Sequence, residues 1–192
     1  MQQLVFATNN AHKLEEVAAK LAGRIELLSL NDINCHDDIE ETGATFTENA
    51  SIKSRHIYYK YNLNCFGDDS GLEIDALGGE PGVFSARYAG VHGDHAANIA
   101  KVLANMSDIP NRKARFRTVI SLMWNGMEYF FAGAVEGTIR TAPSGNGGFG
   151  YDPIFQPDGY EVTFAEMSLE EKNNISHRAI AVERLIEFLK TV

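Results

Sequence analysis

The sequence predicts a mixed α/β protein, and three observations carry that prediction. Through the first half of the chain, short apolar runs alternate with stretches of helical periodicity. Later, Asn125-Gly126 stands between two long apolar-rich runs, the strongest short signal for a β-hairpin. The chain then closes on an amphipathic stretch, with Val182, Leu185, Ile186 and Leu189 on one face and Glu183, Arg184, Glu187 and Lys190 on the other.

Each element has a local reason. Leu4 to Ala7 reads as a short buried strand. Asn10 is placed to cap a helix whose apolar residues Leu14, Val17, Ala18 and Leu21 fall at i, i+3, i+4 and i+7, with Gly23 as its stop. Ile25 to Leu28 is a second apolar run. Thr45 and Glu48 have capping-box spacing and open a helix to about Tyr61. Asn64 to Gly67 and Gly71 to Ala76 read as strands on either side of an Asp68-Asp69-Ser70 turn, and Leu72 and Ile74 alternate with Glu73 and Asp75. Asp94 caps a helix to about Met106. Ala114 to Trp124 and Met127 to Val135 form the hairpin, and Ser176 caps the last helix.

Composition narrows the function. The 192 residues hold 17 Lys plus Arg against 26 Asp plus Glu, a net charge of −9 that argues against a nucleic-acid polymer as partner. The apolar run at the N-terminus is too short for a signal peptide or a membrane span. With no export signal, Cys35 and Cys65 are expected as reduced thiols of a cytoplasmic protein. No repeat or linker divides residues 1–192, which read as one continuous domain.

Four stretches do not fit a purely structural reading. In Thr8-Asn9-Asn10-Ala11-His12-Lys13 a strand turns directly into a helix, and helix N–H groups, polar side chains and a lysine suit phosphate oxygens; an ordinary capped turn is the alternative. Lys53 shares a helix face with Phe46, Ala50 and Ile57, so it either snorkels to the helix edge or points at an anion. Ser144 to Pro153 packs four glycines into six positions around Phe149 and Tyr151, either of which could stack on a flat ring, with Asp152 as an acceptor. Lys172 is followed by His177 and Arg178 in the first turn of the last helix, where cations oppose the helix dipole; either an anion supplies the balance or a surface helix tolerates the small penalty. The adjacent Asp68 and Asp69 read as a solvated turn or as an oxygen-rich cation site.

These segments, "FATNNAHKLEEV", "ETGATFTENASIK", "DDSGLEIDALGGEPGVFSARYAG", "GGFGYDPIF" and "EKNNISHR", occur in order from end to end. Together they closely resemble the inosine triphosphate pyrophosphatase family, whose members cleave non-canonical purine nucleoside triphosphates. The resemblance implies an elongated mixed sheet with flanking helices, two lobes around a central nucleotide-binding cleft, and a cytoplasmic homodimer. It implies Mg²⁺-dependent conversion of ITP, dITP and XTP to the monophosphate and pyrophosphate. On that likeness Thr8 to Lys13 hold the triphosphate, Glu41 and Asp69 hold the metal, and Asp69 is the general base. Lys53 faces the phosphates and Ser70 touches substrate. Phe149, Gly150, Tyr151, Asp152, Lys172, His177 and Arg178 match the base-binding elements. Ala179 and Ser144 stand where many relatives carry Gly and a basic residue. A related pyrophosphatase for modified pyrimidine nucleotides and a non-catalytic nucleotide sensor are the rival readings. The segment "GGEPGVFSARYAG" is expected to be partly structural and to lie at the dimer interface.

Overall fold

The computed structural model describes residues 2–192, and its strands form a six-stranded sheet in the order β2-β1-β3-β4-β5-β6. The chain order is β1 (Gln2–Phe6), α1 (Ala11–Leu21), β2 (Ile25–Leu28), α2 (Phe46–Tyr61), β3 (Cys65–Ile74), α3 (His95–Asn105), β4 (Lys113–Trp124), β5 (Met127–Ile139), β6 (Phe155–Pro157), α4 (Leu169–Ile175) and α5 (His177–Leu189). β1 pairs in parallel with both β2 and β3, and β5 pairs antiparallel with β6, so the sheet is mixed. The mixed α/β fold read from the sequence is the one observed.

The chain divides into two compact units. The first comprises residues 1–69, 118–133 and 178–192. In it, apolar residues of β1, β3 and β4 pack with the buried stripes of α1 and α5: Leu4, Phe6, Phe66, Ile120 and Leu122 meet Val17, Leu21, Val182, Leu185 and Ile186. Phe6 and Phe66, partners in the parallel register, stack with ring centroids 4.4 Å apart. Ala18, expected on the buried face of α1, is exposed; Glu16 takes a buried place instead. The second unit comprises residues 70–117 and 134–177, and its core joins Leu72, Ile74, Val102, Met106, Phe116, Ile139, Phe155 and Phe164.

The caps expected at Asn10, Asp94 and Thr45 form, the last with one change. Asn10 accepts from Lys13 N, and Asp94 accepts from Ala97 N. Thr45 accepts from Glu48 N, but the Glu48 carboxylate reaches back to Ala44 N rather than to Thr45, one residue further than a capping box requires. Asn125 and Gly126 both take positive φ, 49° and 84°, as a two-residue hairpin turn needs.

The largest correction concerns the two aspartates. No turn separates two strands there; β3 runs unbroken for ten residues through Asp68, Asp69 and Ser70. Partners drawn from α1, α2 and α5 replace the water that a turn would have supplied. Just before them lies Gly67, where an added Cβ would sit 2.8 Å from Ala50 O and 2.8 Å from Lys53 Cβ. The strand therefore lies against α2 at a distance only glycine permits. Gly67→Ala is expected to lower the unfolding free energy by about 1–3 kcal/mol, as overpacking does. Urea denaturation checks this, and an unchanged midpoint would show that α2 yields freely.

Candidate active site

In the first unit, charged side chains from β3 and three helices meet out of water. Asp68 is 1% exposed and accepts from Lys13 Nζ at 3.0 Å, from the end of α1's first turn. Its other oxygen accepts from Arg178 Nε at 3.3 Å, and the same guanidinium is hydrogen-bonded to the buried Glu16. Asp69, the next residue, accepts from Asn49 Nδ2 at 3.0 Å. Lys53 is buried, and its ammonium pairs with Glu41. Of the two readings open for Lys53, snorkelling is thereby excluded: the ammonium points at a carboxylate.

The first loop is ordered by its own hydrogen bonds. Thr8 Oγ1 accepts from Asn10 N at 3.2 Å, and Asn10 Oδ1 then caps α1. Asn9, Ala11 and His12 are exposed at the start of that helix, leaving its first turn open to a phosphate.

The cluster splits the two aspartates electrostatically. Burial works against ionised Asp68, but Lys13, Arg178 and Lys53 overcome it and hold its carboxyl well below the usual range. Burial pushes the Asp69 carboxyl up to about 6; Glu41 adds to the push, while Lys53, Lys13 and the Asn49 amide pull the other way. Burial lowers Lys13, with the neighbouring Lys53 and Arg178 acting the same way. Burial also acts to lower Lys53, but Asp68, Glu41 and Asp69 together raise it.

The second unit holds the other group of expected residues. Lys172 donates to Asp152 Oδ2 at 2.6 Å, a buried pair with side chains 4% and 3% exposed. The same Asp152 oxygen accepts from Phe149 N at 2.9 Å, and Lys172 Nζ lies 4.9 Å from the centre of the half-buried Phe149 ring. His95, at the start of α3, faces that ring with centroids 6.4 Å apart. His177 stacks on Phe116 at 4.8 Å. Gly150 takes a φ of +61°, and Ser70 is half-buried on β3.

Several expectations need correction. Tyr151 is 4% exposed and donates to Ser85 O at 2.7 Å, so it is a core residue and Phe149 alone of the two can offer a ring face. The glycine-rich stretch is closely packed: a Cβ on Gly148 would lie 2.0 Å from Asp152 Oδ2. His177 and Arg178 do not act as a pair, since the first packs on Phe116 and the second reaches Glu16 and Asp68. The anion that balances Arg178 at the start of α5 is thus supplied by the protein's own carboxylates.

Residues 4–188 match the model of the Ham1 family over nearly their whole length. The chain belongs to the Ham1 family. It is 51% identical over 188 residues to the dITP/XTP pyrophosphatase of Flavobacterium psychrophilum, spanning 98% of this chain and 99% of that one. It is 50% identical over 190 residues to the dITP/XTP pyrophosphatase of Porphyromonas gingivalis, spanning 98% of each. The structure of a HAM1 protein from Coxiella burnetii matches with a TM-score of 0.91 at 42% identity, covering 100% of both chains. The family expected from the five motifs is the one found.

Sequence reasoning missed Asn49, Glu16 and Ser85. Asn49 and Glu16 each lie on a helix face with buried neighbours, which is the signal that could have found them. Ser85 accepts from Leu72 N and its carbonyl holds the Tyr151 hydroxyl, which makes "GVFSARYAG" structural in part, as expected.

The split titration gives a stability test. Because the folded value of Asp69 lies above its ordinary 3.8, the native state holds the proton more tightly, so this contribution is full below the unfolded value and is lost as pH rises toward 6. In EDTA-treated protein, Asp69→Asn should therefore stabilise the fold at pH 7–8 by about 2–3 kcal/mol, with the gain shrinking toward pH 4. Chemical denaturation across pH measures it; a pH-independent difference would show that Asp69 titrates normally.

Proposed function

We propose that this chain hydrolyses non-canonical purine nucleoside triphosphates, ITP, dITP and XTP, to the monophosphate and pyrophosphate. The observation that carries the reading is the buried set of Lys13, Lys53, Arg178, Asp68, Asp69 and Glu41, found in a chain about half identical to proteins named dITP/XTP pyrophosphatase. Water attacks the α-phosphorus and the bond to the β-phosphate oxygen breaks. Asp69, raised toward neutrality yet ionised at pH 7, accepts the proton of that water. Lys13 and Lys53 offset charge on the phosphates, and the open first turn of α1 offers N–H donors. Asp68, held ionised between Lys13 and Arg178, keeps both cations in place.

Mg²⁺ fits these residues. Glu41 and Asp69 are hard oxygen donors, and Asp69 is raised chiefly by burial, with Glu41 adding to it. The cations Lys13, Lys53 and Arg178 already face Asp68, Asp69, Glu41 and Glu16, so a triphosphate calls for a further cation besides the share of its charge that Lys13 and Lys53 offset. Among the described residues no group of three or more His, Cys, Asp or Glu converges, and Mg²⁺ bound by two carboxylates takes its other ligands from water and phosphate. When bound, the ion would neutralise phosphate charge and polarise the phosphoryl oxygens.

Base recognition is assigned to the second unit. Phe149 offers a ring face, and Lys172 and His177 offer groups that suit a 6-keto oxygen, where adenine would present an amino donor. A free nucleotide as substrate is consistent with the net charge of −9, which disfavours a nucleic-acid polymer, and with a cytoplasmic setting. Among the described residues no helix is long and apolar enough to cross a membrane. A homodimer belongs to the same reading, supported by Phe84 and Val91, 55% and 68% exposed in and beside the segment expected at that interface.

The deciding assay is turnover with Mg²⁺ on ITP, XTP, GTP and ATP, separating pyrophosphate from orthophosphate. Monophosphate and pyrophosphate from ITP and XTP are expected, with GTP and ATP nearly untouched and activity lost to EDTA. Asp69→Asn should cost about 10²–10⁴ in rate. Orthophosphate release, or equal use of ATP, would overturn the reading. Light scattering should give a dimer, and a strict monomer at high concentration would remove that part.

A further inference from the structure

We propose that Asn49 is a positioning residue that sets the spacing of the Glu41 and Asp69 carboxylates. The inference rests on the function proposed above and extends it to a residue that contributes no charge. The Asn49 side chain is 0% exposed, and it uses both ends of its carboxamide. Oδ1 accepts from Gly43 N at 2.7 Å, and Nδ2 donates to Asp69 Oδ2 at 3.0 Å. One amide group thus ties the backbone two residues after Glu41 to the carboxylate of Asp69.

The geometry leaves this bridge little freedom. A carboxamide is planar, so fixing its oxygen on one backbone N–H fixes where its amine points. Gly43 is pressed against α2: an added Cβ would lie 2.6 Å from Glu48 Cβ and 2.7 Å from Asn49 Oδ1. Glu48, one residue before Asn49, bonds to Ala44 N and holds the same segment from the other side. The residues from Glu41 to Ala44 have no helix or strand hydrogen bonds of their own, so these contacts, together with the Lys53 ammonium on the Glu41 carboxylate, place Glu41. On the other side, a hydrogen bond to one carboxylate oxygen fixes the plane of Asp69. Leucine or alanine at position 49 would serve packing as well; an amide is needed only where a donor and an acceptor must be joined across a fixed distance.

Two variants test this in the full-length protein. Asn49→Ala removes the bridge, and Gly43→Ala displaces the Asn49 oxygen while leaving Asn49 in the chain. Each should lower kcat for ITP by about 10²-fold, as an ångström of misplacement does, with KM within about threefold of the parent. With Mn²⁺ alone and no nucleotide, calorimetry should show affinity weaker by about 10–100-fold, as loss of an outer partner does. A kcat within about twofold of the parent overturns the proposal, as does a loss confined to KM. So does a fall in activity that only follows the folded fraction while Mn²⁺ affinity stays unchanged. If the parent itself turns over none of the nucleotides, the proposed function fails, and the Mn²⁺ arm still judges the bridge.

Discussion

How closely β3 lies against α2 governs the chemistry available to this protein. Gly67 has no side chain, and the space a Cβ would need is held by the Ala50 carbonyl oxygen and the Lys53 Cβ. That approach brings the buried face of α2 over the strand just where Asp68 and Asp69 follow. Asn49 and Lys53 lie on that face, one bonded to Asp69 and the other raised by its nearness to both aspartates. Water excluded from such a contact no longer screens the charges, so each interaction strengthens and each mismatch becomes costly. The fold tolerates the arrangement because most of its charges meet an opposite one, Lys13 and Arg178 on Asp68, Arg178 on Glu16, Lys53 on Glu41, while Asp69 takes the Asn49 amide. Ion pairs of this kind add little stability compared with apolar packing of equal volume. In the proposed function, their presence in the middle of an otherwise apolar unit serves the binding of a polyanion.

Much of this was legible in the sequence where local rules coincide with the tertiary outcome. Asn10, Thr45 and Asp94 cap helices because a short polar side chain at a helix start has no better partner than the N–H groups beyond it. Asn125-Gly126 turns the hairpin because both residues tolerate positive φ. The failures are equally specific. Asp-Asp-Ser-Gly has turn composition, and only partners distant in sequence, Lys13, Asn49 and Arg178, make it a strand. Glu16 reads as a surface charge until Arg178 arrives from 162 positions away. Tyr151 sits among glycines like a ligand-facing ring, yet its hydroxyl is taken by Ser85 O. In contrast, α4 was announced by Ser168 and Glu171 at capping-box spacing, and both bonds form. That signal was present and local.

The two aspartates show why the difference between a turn and a strand matters to mechanism. In a solvated turn both carboxyls would titrate near their ordinary value, and nothing would distinguish a base from a spectator. A strand sends successive side chains to opposite faces, so identical neighbours enter different surroundings. Asp68 goes to Lys13 and Arg178 and is held strongly acidic, a poor proton acceptor but a firm anchor for two cations. Asp69 goes to a neutral amide beside Glu41, and burial lifts it to about 6, close to where a general base is most useful at neutral pH. The division of labour therefore does not reside in residue type, and no reading of "DD" alone could assign it. It follows from the strand direction together with the helix that Gly67 admits, and a slip of register by one residue would put one aspartate in the other's place and Gly67 or Ser70 in the one left.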